Sequence, residues 1–282
     1  MEYRLLKADR KMFSKYFATY YKNNWFRPSW GDLTKVLSAS DDGYWVFAGE
    51  DKAAGVYLSD HSIALVFGIP PYSITTKMMD AVKRYALKSW KLTEDLHAYN
   101  VLAEQEIAFR ETGFVRVESR QCMMRPTEQL ETSMDLNDMH RIPSIDDMSK
   151  IVEVFREAYA NGPDEREAQV YAEDVARYFD AVDPKLLGAS SVVYDRITGE
   201  IVGVCLISLW EGLPLVYSIA VLPQHRGMGL ATAMLDRALT VLEPDYPVLR
   251  LFVTTGNQAE QLYRKRGFLS GGEYHHLRYT IE

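Results

Sequence analysis

The residues best suited to chemistry in this sequence are Arg226, Gly227, Met228, Gly229, Leu230 and Ala231. The apolar run 215–221 ahead of them predicts a strand, and residues 230–239 behind them predict a helix, so the glycines fall at a strand-to-helix turn. Glycine there lets backbone amides face outward, and the first turn of a helix has N–H groups with no internal partner and a partial positive charge. Together these features make an anion site, most naturally for phosphate. Little else in the chain competes. Cys122 and Cys205 lie in separate expected strands without metal-ligand spacing and read as buried thiols. The six histidines show no metal spacing, and His275 and His276, adjacent on an expected strand, point to opposite faces. No metal is expected.

The same residues, with Val221 and Pro223 upstream, resemble the acyl-CoA pyrophosphate loop of the GNAT acyltransferase superfamily. That loop reads Gln or Arg, two residues, Gly, one residue, then Gly or Ala. Frames starting at Gln224 and at Arg226 both fit, and the Arg226 frame puts the proline and the valine at the family's distances. The resemblance implies a set of roles. The amides from Arg226 to Ala231 would hold the pyrophosphate of acetyl-CoA. The strand edge Ile219, Ala220 and Val221 would pair with the pantetheine amides as an added strand, with a Val221 N–H polarising the thioester carbonyl. Residues 262–268, Leu-Tyr-x-x-x-Gly-Phe, resemble the segment that places a tyrosine near the sulfur, so Tyr263 would protonate the departing thiolate. Asn257 either contacts the cofactor or caps the helix that follows it. Many members carry a glutamate base where Tyr217 and Ser218 stand here, so either an ordered water relays the proton or a base comes from elsewhere, Glu211 in the preceding turn being one candidate.

The elements that must position these residues repeat along the chain. Gly55-Val56 falls on Gly203-Val204 at an offset of 148, Pro71 and Ala81 fall on Pro223 and Ala233 at 152, and Phe109-Arg110 and Gly113-Phe114 fall on Tyr263-Arg264 and Gly267-Phe268 at 154. The expected fold class is therefore α/β (α+β), with two GNAT-like domains, each a mixed, mostly antiparallel central sheet flanked by helices. Residues 1–126 form the first domain, 127–136 a polar, proline-containing linker, and 137–282 the second. The first copy is degenerate. It has Ile74-Thr75-Thr76-Lys77 opposite the glycine turn and Phe109 opposite Tyr263, so acyl-CoA binding is not expected there.

The 282 residues suit two domains, and 47% hydrophobic with 25% charged residues describes an ordinary folded protein rather than a disordered one. No apolar run reaches the length of a membrane span and the polar start is unlike a signal peptide, so the expected setting is cytoplasmic, without a membrane partner. A formal net charge of -7 with no basic patch argues against nucleic acid. Between Ser144 and Lys185 stand eleven acidic and five basic residues. That balance either favours a cationic amine or merely solvates an outer helix face through Asp164, Glu165, Glu167, Glu173 and Asp174. The function these observations support is an acyl-CoA dependent N-acyltransferase, most simply an acetyltransferase acting on a small-molecule or peptide amine. Two alternatives are a sensor module that binds acyl-CoA without turnover, and an unrelated nucleotide-binding protein. The second lacks both a P-loop lysine and an acidic ribose partner. Oligomeric state is not legible.

Overall fold

The computed structural model describes residues 2–23, 25–26, 29–59, 61–90, 94–131 and 139–281; residues 132–136 of the expected linker lie outside them. The first half of the chain runs β1 (Tyr3–Lys7), α1 (Arg10–Tyr20), α2 (Trp30–Leu37), β2 (Gly43–Ala48), β3 (Asp51–Ser59), β4 (Ser62–Gly68), α3 (Thr76–Trp90), β5 (Leu96–Leu102), α4 (Glu106–Arg110) and β6 (Val115–Pro126). The second half runs β7 (His140–Arg141), α5 (Met148–Tyr159), α6 (Ala168–Ala181), α7 (Pro184–Ala189), β8 (Ser191–Tyr194), β9 (Ile201–Trp210), β10 (Leu213–Val221), α8 (Leu230–Leu242), β11 (Val248–Thr254), α9 (Ala259–Lys265) and β12 (Leu269–Tyr279). The succession is the same twice over, as the internal repeat predicts. Only α7 is added, a six-residue helix started by Pro184 at its first position and by the Asp183 side chain, which accepts from the Lys185 N–H.

The chain forms two compact units that a single cut does not separate. One consists of Met1–Gln121 with Gly271–Glu282, the other of Cys122–Ser270. The expected division follows chain order, whereas the last strand lies in the first unit. There the antiparallel strands β1 to β4 lead to β5, which runs parallel to β4 and needs a partner on its other edge. β12 supplies it, pairing Tyr274 with Leu102, His275 with Val101 and Leu277 with Ala98. Leu277 is fully buried with Val46, Ala98 and the α3 residues Met79 and Val82. His275 and His276 do face opposite ways: His275 meets Ser119 at 2.8 Å and His276 meets His97 at 2.8 Å. The other face of this sheet is covered by α1 and α2, whose Phe13, Phe17, Leu33 and Leu37 pack on Trp45 and Phe67. The Phe67 ring leaves no room opposite Gly55, where an added Cβ would lie 2.2 Å from the ring carbon Cζ.

In the second unit β7, β8, β9 and β10 are antiparallel neighbours and β11 runs parallel to β10. Helices cover both faces, so β9 is apolar almost throughout rather than alternating. Val204 and Leu206 meet α5 and α6 through Ile151, Val154, Phe155 and Val175. Cys205 and Ile207 meet α7 and α8 through Leu186, Met234 and Leu235. The α5 contacts recur at helical spacing (Ile151, Val154, Phe155, Ala158), which is why a single stripe of that helix is apolar.

Removal of residues 271–282 deprives β5 of a partner and the first core of Leu277. Four of the five tryptophans, Trp25, Trp30, Trp45 and Trp90, belong to that unit. The truncated chain is therefore expected to show red-shifted tryptophan emission, and wild-type emission would contradict the placement of β12 in the first unit.

Candidate active site

The site begins with one extra residue in a strand. β10 pairs with β9 along its whole length, but the register shifts between Val216 and Ser218, leaving Tyr217 in a bulge. Among the described residues the parallel pairing of β10 with β11 covers only Leu215 with Arg250 and Val216 with Leu251. Beyond the bulge the two strands part. The Leu222 N–H donates to the Val202 carbonyl of β9 at 2.9 Å, so by alternation the polar groups of Ile219 and Val221 turn to the open edge. Two side chains meet them there. The Tyr159 hydroxyl donates to the Ile219 carbonyl at 2.9 Å, and Arg226 Nε donates to the Val221 carbonyl at 3.2 Å.

The strand leaves through a single 3-10 turn, Pro223–His225, into Arg226 and the glycines. His225 Nε2 lies 3.3 Å from Asp195, whose carboxyl is held down to about 2 by the backbone N–H groups of Thr198 and Ile197. Gly227 and Gly229 have φ of 77° and 84°, and Gly229 is the N-cap of α8, which has no side-chain cap. A Cβ at either glycine would meet nothing within 4 Å. These glycines thus answer to backbone conformation rather than crowding, and the space outside them is open. The first intrahelical bond runs from Ala233 N–H to the Gly229 carbonyl at 2.9 Å, so the amides of Leu230, Ala231 and Thr232 have no partner within the helix. Met228 is exposed beside them. The Arg226 guanidinium points away from the loop and donates to the Ala158 carbonyl at 2.5 Å, which fastens the end of α5 to β10. The Arg226 N–H, expected to face the anion, donates instead to the Pro223 carbonyl at 3.2 Å, closing the 3-10 turn, while its side chain braces the strand edge. Ala220, between the two open-edge residues, faces α5 and α6.

Tyr263 lies on α9, 6% exposed, in the core with Cys205, Met234 and Phe268. Burial, then the nearness of Cys205 and Asp164, raises its phenol above the ordinary range. Burial also pushes the Cys205 thiol up to about 12, which removes it as a nucleophile. Asn257 Oδ1 accepts from the Ala259 N–H at 2.9 Å, as a helix cap does, and its Nδ2 donates to Asp164 at 2.6 Å. Asp164 takes a second bond, 2.7 Å, from the Thr254 hydroxyl at the end of β11. Its own carbonyl accepts from the Tyr171 hydroxyl at 3.0 Å. Of the acidic side chains that would either favour a cationic amine or solvate a helix face, Glu165, Glu167 and Glu173 are exposed, while Asp164 turns inward. Nothing local in the sequence signals this, because Thr254 and Asn257 are 90 and 93 residues away. Glu211 sits in the β9 to β10 turn, six residues and about 20 Å of extended strand from Tyr217. That is out of reach of the opening. The Tyr217 hydroxyl donates to the Asp174 carbonyl at 3.1 Å.

In the first unit the corresponding gap is filled from within. The pairing of β4 with β5 covers Ser62 to Ala64, and beyond it the buried Gln105 amide spans both strands. Its Oε1 accepts from the Leu102 N–H at 3.3 Å and its Nε2 donates to the Val66 carbonyl at 2.8 Å. The start of α3 is capped by Thr75, which accepts from Met78 N–H at 3.3 Å. Phe109 is fully buried against Phe114.

Gly229→Ala places a side chain at positive φ and is expected to lower stability by roughly 1–2 kcal/mol in urea titration. Gly188→Ala, equally open but within α7 and without a positive φ, is expected to be neutral or to stabilise by about 0.4–1 kcal/mol. Equal effects of the two would show that backbone conformation is not what requires Gly229.

Residues 149–268 match the model of the Acetyltransferase (GNAT) family. None of the curated proteins matches the chain. Among solved structures, a GCN5-related N-acetyltransferase from Sphaerobacter thermophilus is similar at 18% identity and a TM-score of 0.70, over 99% of this chain and 96% of that one. A tandem GNAT protein from the clavulanic acid biosynthesis pathway is similar at 13% identity and a TM-score of 0.60, over 99% and 98%. An acetyltransferase from the GNAT family of Colwellia psychrerythraea is similar at 10% identity and a TM-score of 0.55, over the whole of both chains. At these identities the likeness is one of fold. Residues 149–268, which match the acetyltransferase (GNAT) family, thus carry a glycine turn at the end of a strand that parts from its neighbour, and are preceded by a half built to the same order of elements.

Proposed function

We propose that this chain transfers an acyl group, most simply acetyl from acetyl-CoA, to a primary amine by direct attack, in its second unit alone. The observation that carries this reading is the open edge of β10 leading directly into a positive-φ glycine turn whose Cβ directions are empty. The residues fit the donor. Unpartnered amides at the start of α8, with those of the glycine turn from Gly227, suit the pyrophosphate, and they bring partial positive charge without side chains in the way; the Arg226 N–H is engaged by the Pro223 carbonyl. The edge of Ile219, Ala220 and Val221 suits the pantetheine amides by strand addition, once the Tyr159 hydroxyl gives up the Ile219 carbonyl. A Val221 N–H on that edge is the donor for the thioester oxygen. Asn257 acts there chiefly by capping α9 and holding Asp164.

Tyr263 supplies the proton that the departing thiolate takes. Its raised phenol stays protonated at neutral pH, the state from which an acid must start. In the first unit the Gln105 amide holds the strand gap closed, and we assign that unit no acyl-CoA. The sensor reading keeps one specific support: Tyr217 and Ser218 offer no carboxylate on the strand.

Isothermal titration with acetyl-CoA is expected to show one site per chain. No saturable binding would end both acyl-CoA readings, and two sites would restore binding to the first unit. Thiol release over a panel of small amines, polyamines, aminoglycosides and peptides then separates transferase from sensor. Tyr263→Phe is expected to lower kcat at least about tenfold with acetyl-CoA affinity unchanged, within the range for general acids; an unaltered kcat would remove Tyr263 from the mechanism.

A further inference from the structure

Direct attack requires a neutral amine, yet a primary amine arrives at neutral pH as an ammonium ion, and β10 carries no carboxylate to relieve it. We propose that Asp164, on the loop between α5 and α6, receives the acceptor's ammonium group and is the general base of the reaction. This rests on the acyl-transfer reading above.

Three observations carry it. The carboxylate is half-buried, yet among the described residues no lysine or arginine forms an ion pair with it, unlike Asp174, which Arg166 and Arg177 neutralise. Its two oxygens are held instead by one neutral donor each, Thr254 and Asn257, which fix the group without cancelling its charge and leave each oxygen a lone pair for an incoming N–H. Those donors stand at the end of β11 and in the turn before α9, the helix that carries Tyr263, so acid and carboxylate share one end of the parted strands. The ionisable groups around Asp164 are Tyr159 on α5, Tyr171 on α6, Tyr263 on α9, and Glu165 and Arg166 on its own loop. Three of the five are phenols. An ammonium held there meets the Asp164 carboxylate amid three phenols.

The proton account closes. The ammonium gives one proton to Asp164, which passes it to solvent. The nitrogen lone pair forms the C–N bond, the C–S bond breaks, and its electron pair goes to sulfur, which takes the Tyr263 proton. The remaining surplus proton on the new amide nitrogen returns to the Tyr263 oxygen, so one proton is released per turnover.

Asp164→Asn, measured in the full chain with an amine that wild type turns over, is expected to lower kcat/KM for the amine by about 100-fold or more at pH 7, with acetyl-CoA affinity within threefold of wild type. As pH rises past the amine's own pKa the deficit should shrink, because the amine then arrives neutral and needs no base. A deficit of the same size at every pH would make Asp164 a positioning residue and overturn the proposal, as would no deficit at all. Asp164→Glu, which keeps the carboxylate, is expected to retain the wild-type pH profile at reduced rate; the profile of the Asn variant would again overturn it. A wild type that binds acetyl-CoA but acylates nothing in the panel defeats the transferase reading itself, and this proposal with it.

Discussion

The bulge at Tyr217 is the constraint on which the second unit depends. One extra residue ends the parallel pairing of β10 with β11 after Val216 and turns a row of backbone groups onto an edge with no strand beside it. Such groups cannot be left bare in the interior without a penalty of about 1–3 kcal/mol each. The chain answers with Tyr159 on the Ile219 carbonyl and Arg226 on the Val221 carbonyl, and each tie also fixes the end of α5 over the opening. The Ile219 carbonyl, satisfied by a hydroxyl rather than by a strand, can exchange that partner for a ligand's amide, because one neutral hydrogen bond replaces another at little net change.

The first unit meets the same difficulty with a different outcome. Its β4 and β5 also part, but Gln105 brings a whole amide, donor and acceptor together, into the gap and bonds to both strands. Tyr159 and Arg226 each hold a carbonyl of β10 alone, whereas the Gln105 amide ties both parted strands together. Two copies of one order of elements therefore diverge through a few side chains, with the architecture unchanged. The placement of β12 is the other departure from simple duplication: last in the chain, it completes the first unit beside β5.

Charge in the second unit is distributed by the same logic of partners. The exposed carboxylates of α6 and its approach are solvated, and Asp174 is neutralised by two arginines. Asp164 alone of that stretch is drawn inward onto neutral donors, beside phenols that burial keeps protonated. A run of acidic residues is thus not one electrostatic object. Its members differ by what they touch.

The amino-acid sequence by itself determined the order of elements, the duplication, the glycine turn and the family pattern around it, because these are local. Hydrophobic periodicity marks β10 and α8, and the positive φ at Gly227 and Gly229 is available cheaply only to glycine. The helical stretch ahead of Gly267 and Phe268 placed Tyr263 on α9, and residue type offered Asn257 as a cap of that helix or a cofactor contact. Tertiary structure alone decided the rest. That β12 belongs with β5 follows from an open strand edge that composition cannot reveal. That Asp164, not Glu211, stands at the opening follows from hydrogen bonds spanning 90 and 93 residues, to which no periodicity or motif in the chain corresponds. Local chemistry is written in the spacing of neighbours, whereas which carboxylate loses its water and which keeps it is settled only when distant segments pack.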